Sequence, residues 1–163
     1  MMSQIFVKAE AVLNAKPEDV YTAIADYRNG HPYIVPDAFY DLHPVEGGYG
    51  AGTKIRFKMK VMGVEKSFYQ QVSEPEPGRV LVEQDIDSVN ATATTFTVTP
   101  VENGQKAHVK ITTSMKPTPG FQGLVERLMV PWYNPRLYRK ELKKLEAFAQ
   151  KRLARAAIEQ NKV

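Results

Sequence analysis

Apolar and polar residues alternate cleanly in several stretches of the chain, and each alternation predicts an element. Ile5, Val7, Ala9, Ala11 and Leu13 fall on one side of residues 5–13, with Lys8 and Glu10 on the other, as in a half-buried strand. Lys16-Pro17-Glu18-Asp19-Val20 then opens a helix, with proline at its first position and two carboxylates at the positive end of its dipole. Val20, Ala23, Ile24 and Tyr27 form its apolar stripe, and Gly30 is expected to stop it in a left-handed conformation. His31-Pro32-Tyr33-Ile34-Val35-Pro36 reads as a tight connector.

A strand-rich block follows from about Phe39 to Thr113. Ile55, Phe57, Met59 and Val61 alternate with Lys54, Arg56, Lys58 and Lys60, and Met62-Gly63 turns the chain into a strand with Val64, Phe68 and Val72 on its apolar side. After the Glu74-Pro75-Glu76-Pro77-Gly78 turn, Val80, Val82 and Ile86 are assigned to the inner face and Glu83, Asp85 and Asp87 to the outer one. Strands around Ala91–Thr99 and Gln105–Thr113 complete an antiparallel meander. From about Gly120 the period becomes helical. Leu124, Leu128 and Trp132 lead into Tyr138, Leu142, Leu145 and Phe148, with a kink or break expected at Pro131 and Pro135.

Residues 1–163 are therefore read as a single α+β domain. A curved antiparallel sheet wraps a long C-terminal helix, which can bury its stripe only against the sheet's apolar face, leaving a ligand cavity between them. The chain has no cysteine, so disulfides, thiolate metal sites and cysteine nucleophiles are excluded. No apolar run reaches the ~20 residues of a membrane span, and the start lacks the pattern of a signal peptide. A cytoplasmic protein is the expectation. The formal charge of +4 is uneven: residues 136–163 hold nine Lys or Arg against three Glu. This basic helix, about 121–158, carries no nucleic-acid motif, so specific nucleic-acid binding is not expected.

Several motifs bear a resemblance to a known family. Ala15-Lys16-Pro17-Glu18-Asp19-Val20-Tyr21 with Ile24, Asp26 and Tyr27 resembles the first-helix signature of the START-like, Bet v 1-like helix-grip superfamily (SRPBCC). Gly52-Thr53, Glu74–Arg79 and Thr94-Thr95-Phe96 resemble the turns and strands of its bacterial polyketide cyclase/dehydrase-like members, and Arg136–Leu145 is similar to their last helix. The resemblance implies a hydrophobic-ligand cavity and no single reaction, since carriers, cyclases, receptors and co-chaperones share the fold.

Candidate chemistry is sparse. His31, His43 and His108 form no metal motif, and no nucleophile elbow or Ser/His/Asp set is present. The glycine-rich segment from Gly47 to Lys54 fails the phosphate-loop pattern and is expected to be a flexible loop over the cavity. The alternation nominates Phe57, Met59, Phe68, Gln70, Val82, Gln84, Phe96, Val109 and Ile111 from the sheet as ligand-binding residues, with Tyr27, Leu128 and Trp132 from the helices. Buried Gln70 and Gln84 amides would each need a partner and could orient a polar group of the ligand. The expected function is binding or carriage of a small hydrophobic or amphipathic molecule, without metal or cofactor. One alternative is a cyclase or dehydratase using Tyr27, His31 or Tyr133 as acid–base groups. The other is an interaction module built on the basic helix. Ligand identity is left open, as is the choice between monomer and homodimer.

Overall fold

The computed structural model describes residues 3–162. Seven strands, β1 (Ile5–Leu13), β2 (Phe39–Glu46), β3 (Lys54–Val61), β4 (Val64–Glu76), β5 (Val80–Asp85), β6 (Ala93–Val101) and β7 (Lys106–Met115), form one sheet in the order β1-β7-β6-β5-β4-β3-β2. Every pairing is antiparallel. Helix α1 (Pro17–Ala25) and a 3₁₀ turn (His31–Tyr33) connect β1 to β2, and helix α2 (Phe121–Gln160) ends the fold. A curved antiparallel sheet around a long C-terminal helix is the helix-grip architecture.

The local chemistry explains the connections. Val61 pairs with Val64 across Met62-Gly63, whose φ values of 51° and 81° make a two-residue turn matching the strand twist. Pro17 stands at the start of α1 with Glu18 and Asp19 in its first turn. Gly30 has φ −132°, so the left-handed conformation expected there is not adopted. Space explains the glycine instead: a Cβ at Gly30 would lie 2.5 Å from the Ala23 carbonyl oxygen.

The core lies between the sheet's inner face and the two helices. Val7 and Leu13 of β1, Val20 and Ile24 of α1, Val98, Val109 and Ile111 of β6 and β7, and Leu142 and Leu145 of α2 are all buried. α2 packs on β1 and α1, fastened by Gln150 Nε2 donating to the Asn14 carbonyl (3.1 Å) and Asn14 N–H donating to Glu146 (2.7 Å). Lys144 holds it to the connector through the Val35 carbonyl (2.9 Å) and Asp37 (3.0 Å). Of the kink or break expected at Pro131 and Pro135, a break is absent: the helix runs through both prolines. Among the described residues no helix is long and apolar enough to cross a membrane.

Candidate functional site

A cavity of about 200 Å³ opens between the sheet and α2. Its partly exposed lining is mostly apolar, with Phe39, Leu42, Phe57, Met59, Phe68 and Val130, beside Lys66 and Glu126. Phe57 stacks on Phe68 with centroids 4.7 Å apart, and Phe39 meets Phe57 edge to face. Its buried end is polar, with His31, Glu83, Tyr138 and Glu141.

His31 is positioned by the end of α1. The last carbonyls of a helix lack partners in the next turn, and His31 supplies two hydrogens to them. Its backbone N–H donates to the Asp26 carbonyl (2.7 Å) and its ring Nδ1 lies 2.7 Å from the Ile24 carbonyl oxygen. A carbonyl only accepts, so Nδ1 carries the hydrogen. Nε2 is thereby left facing two carboxyl groups, Glu83 Oε1 at 3.4 Å and Glu141 Oε1 at 3.8 Å. Tyr27, fully buried, stacks on the imidazole at 4.7 Å and donates its hydroxyl hydrogen to Glu83 Oε1 at 2.7 Å. Phe96 closes the other side edge-on at 5.5 Å.

Burial and the facing Glu83 charge hold the Glu141 carboxyl well above its ordinary 4.5, against a smaller opposing pull from Lys144. Both effects favour the protonated form of Glu141, whose carboxyl lines the cavity. Burial and Glu83 likewise push the Tyr27 phenol well above 10.0, so it remains a hydrogen-bond donor. A second polar chain runs along the wall, where Thr94 Oγ1 lies 2.8 Å from Thr113 Oγ1 and Thr113 hydrogen bonds to the Tyr138 hydroxyl. The Tyr138 phenol is pushed up to about 12, chiefly by burial. Among the described residues no group of three or more His, Asp or Glu has the arrangement of a metal site.

The family described as polyketide cyclase / dehydrase and lipid transport matches residues 4–150. The chain belongs to that family. Among solved structures, the KanY protein, determined in solution by NMR, is 25% identical with a TM-score of 0.77, over 91% of this chain and 99% of its own. The Zhui aromatase/cyclase of Streptomyces sp. R1128 is 13% identical with a TM-score of 0.75, over 93% and 96% of the two chains. A point mutant of Thalictrum flavum norcoclaurine synthase, in complex with a transition-state analogue, is 14% identical with a TM-score of 0.70, over 93% and 98%. The last two likenesses are of fold alone. No curated protein matches the sequence.

Of the residues nominated from the sequence, Phe57, Met59, Phe68, Gln70 and Phe96 line the cavity, as does His31. Tyr27 stands behind it, joined to Glu83 and His31. The assignment of β5 is corrected. Directly paired residues on antiparallel strands share a face, and Leu81 pairs with buried Phe96 while Glu83 pairs with buried Val72. Leu81, Glu83 and Asp85 therefore point inward, and Gln84 is exposed while Val82 does not line the cavity. The acidic residues assigned to solvent include the centre of the site.

The phase of α2 is also corrected. Glu126, Val130, Asn134, Tyr138 and Glu141 face the cavity, whereas Leu128 and Trp132 are 71% and 53% exposed. Trp132 precedes Glu141 by nine residues, about half a revolution away at 100° per residue. Leu137, Leu142, Leu145 and Ala149 set the orientation, and the unbroken helix carries it back through the prolines. Val109 and Ile111 are fully buried core outside the cavity lining, and Tyr133 packs against the core, also outside the lining. His43 and His108 lie outside the lining, His43 exposed and His108 half-buried near Glu10. The glycine-rich loop is no flap: Gly50 N–H bonds the Ala25 carbonyl and the Gly48 carbonyl takes the Tyr27 N–H. Sequence reasoning missed Glu83, Tyr138 and Glu141. Glu141 carried a readable signal, because it falls between Tyr138 and Leu145 on the buried stripe.

Proposed function

We propose that the protein binds a small, mostly apolar molecule in this cavity, with a polar group directed at the His31–Glu83–Glu141 cluster. The observation that carries the reading is a cavity with largely apolar, aromatic walls and a buried cluster of titratable groups. Ligand pockets are built in this way, from apolar walls with a few convergent polar groups. Its size limits the occupant. A volume of about 200 Å³ exceeds the roughly 150 Å³ that admits benzene, so a molecule of one or two rings fits wholly inside. Burying ~200 Å² of apolar ligand surface contributes roughly 5 kcal/mol before association costs.

The test is native and denaturing mass spectrometry of the purified protein, with identification of the organic extract and titration with small aromatic probes. A bound compound released on unfolding is expected, and Val130→Trp, which fills the cavity, is expected to lose it while keeping native circular dichroism. A wild-type protein that carries nothing and takes up no aromatic probe would refute the reading.

A second reading is favoured by one contact: Nε2 of His31, opposite the Nδ1 that bonds Ile24, faces two carboxyl groups, and burial raises one of them, Glu141. A proton acceptor beside a proton donor at the end of an apolar cavity is suited to enolisation or dehydration of a bound carbonyl compound, as in a cyclase or dehydratase. In enolisation Glu141 would give its proton to the carbonyl oxygen as His31 takes one from the adjacent carbon. In dehydration His31 would take that proton and Glu141 would protonate the departing hydroxyl, which leaves as water. Once a ligand is known, turnover should disappear in His31→Gln and Glu141→Gln and persist in Tyr133→Phe. Turnover surviving both losses would remove the cluster from catalysis.

A further inference from the structure

Two buried polar atoms on the cavity wall have no hydrogen-bond partner: Gln70 Oε1 and Thr92 Oγ1. Gln70 is 2% exposed and Thr92 7%, and both line the cavity. Unsatisfied buried polar atoms are uncommon and costly, so each calls for a partner. The Gln70 side chain and the Thr92 backbone are both tied to Asp85. Gln70 Nε2 donates to Asp85 Oδ1 at 2.9 Å, which fixes the amide and leaves Oε1 as its open atom. The Thr92 N–H donates to the other oxygen of the same carboxylate, also at 2.9 Å. Gln70 sits directly opposite Asp85 across the β4–β5 pair. One inward carboxylate thus holds an open acceptor and an open hydroxyl against the same cavity.

We propose that Gln70 and Thr92 form a subsite for a hydroxyl group on the bound molecule. The subsite rests on the binding reading above and adds the chemistry of the ligand. Gln70 Oε1 can only accept and Thr92 Oγ1–H can donate. A ligand hydroxyl satisfies both at once, giving its hydrogen to the amide oxygen and taking one from the threonine. A carbonyl leaves Gln70 unpaired, and an ammonium leaves the threonine hydrogen unpaired. Asp85 follows Glu83 by two residues on the same face of β5, a separation of about 7 Å along the strand. The favoured ligand is therefore a compact ring compound with a hydroxyl at Gln70–Thr92 and a second polar group reaching the His31–Glu141 end.

The experiment compares 2-naphthol with 2-methylnaphthalene, near-isosteres that differ in the hydroxyl, by calorimetric titration of the wild-type protein, Gln70→Met and Thr92→Val. Thr92→Val keeps the backbone N–H on Asp85 and so leaves the loop anchored should Gln70→Met fold poorly. The wild type is expected to prefer the naphthol by tenfold or more, and each variant to lose most of that preference while still binding the methyl compound. Equal binding of the two probes by the wild type, or a preference untouched in Thr92→Val, would overturn the subsite and leave the cavity reading standing. Binding of neither probe, by a protein that also carries no bound compound on purification, would overturn both.

Discussion

Replacing Glu141 by glutamine should flatten the pH dependence of stability in a defined window. Glu141 is 3% exposed, and its carboxyl is held well above 4.5 in the folded protein by burial and by Glu83. In the unfolded chain it titrates near the ordinary value. Between the two values the folded state holds a proton that the unfolded state has released. Stability therefore falls as pH rises through that window and is constant in this respect below it. The limiting slope is about 1.4 kcal/mol per pH unit, or roughly 3–6 °C in midpoint per pH unit for a chain of this length. A glutamine side chain in place of the protonated acid keeps the shape and the neutrality and removes the titration. Thermal unfolding followed by circular dichroism at pH 5, 6, 7 and 8 provides the assay. His31 and Glu83 remain in both proteins, so the difference in midpoint isolates Glu141 and its coupling to them. The variant should gain on the wild type as pH rises, until Glu141 ionises in the folded state. Parallel curves over this range would show that Glu141 is ionised in the native protein, and the assignment of a neutral proton donor would fall.

Two further substitutions test how the cluster is held. Tyr27→Phe removes the hydrogen bond to Glu83 at 2.7 Å in a fully buried site, and the loss should be about 1–3 kcal/mol; an unchanged urea midpoint would contradict it. Gly30→Ala places a methyl 2.5 Å from the Ala23 carbonyl oxygen and 3.0 Å from that of Asp26, both backbone atoms. The next residue is His31, so a destabilisation of about 1–3 kcal/mol should come with weakened probe binding, and a variant matching the wild type in both would show the turn to be slack.

How far the sequence could be read depended on whether a face was set locally. β3 shows unbroken alternation and β1 alternates except for the exposed Phe6 and Val12, and their inner faces are the ones expected. Helix α1 begins at Pro17, where proline and two acidic residues announced it. β5 offered two choices, Val80-Val82-Ile86 against Leu81-Glu83-Asp85. Hydropathy chose the first. The pairing with Phe96 and Val72 imposes the second, and a one-residue slip exchanges every side chain between faces. The long helix failed for a related reason. Leu124, Leu128 and Trp132 form a local apolar stripe, but a rigid helix has one phase, and the larger buried set from Leu137 to Ala149 decides it.

That misreading of β5 bears on function. Stability alone would favour the apolar alternative, because a carboxylate taken from water into this interior costs more than a buried ion pair commonly returns. The sheet nevertheless turns Glu83 and Asp85 inward, Asp85 beside Gln70 and Glu83 opposite His31. Each of these has an anchor outside the cavity or across it: Tyr27 for Glu83, Ile24 for His31, Gln70 and Thr92 for Asp85. The anchors leave the Gln70 amide oxygen and the Thr92 hydroxyl without a partner at the cavity wall, where Glu141 and His31 also stand. A core arranged for packing leaves few such atoms open. Open polar atoms with fixed directions, surrounded by aromatic walls, are complementary to a molecule that carries polar groups at matching places, and it is this complementarity that separates a binding site from a flaw in the core.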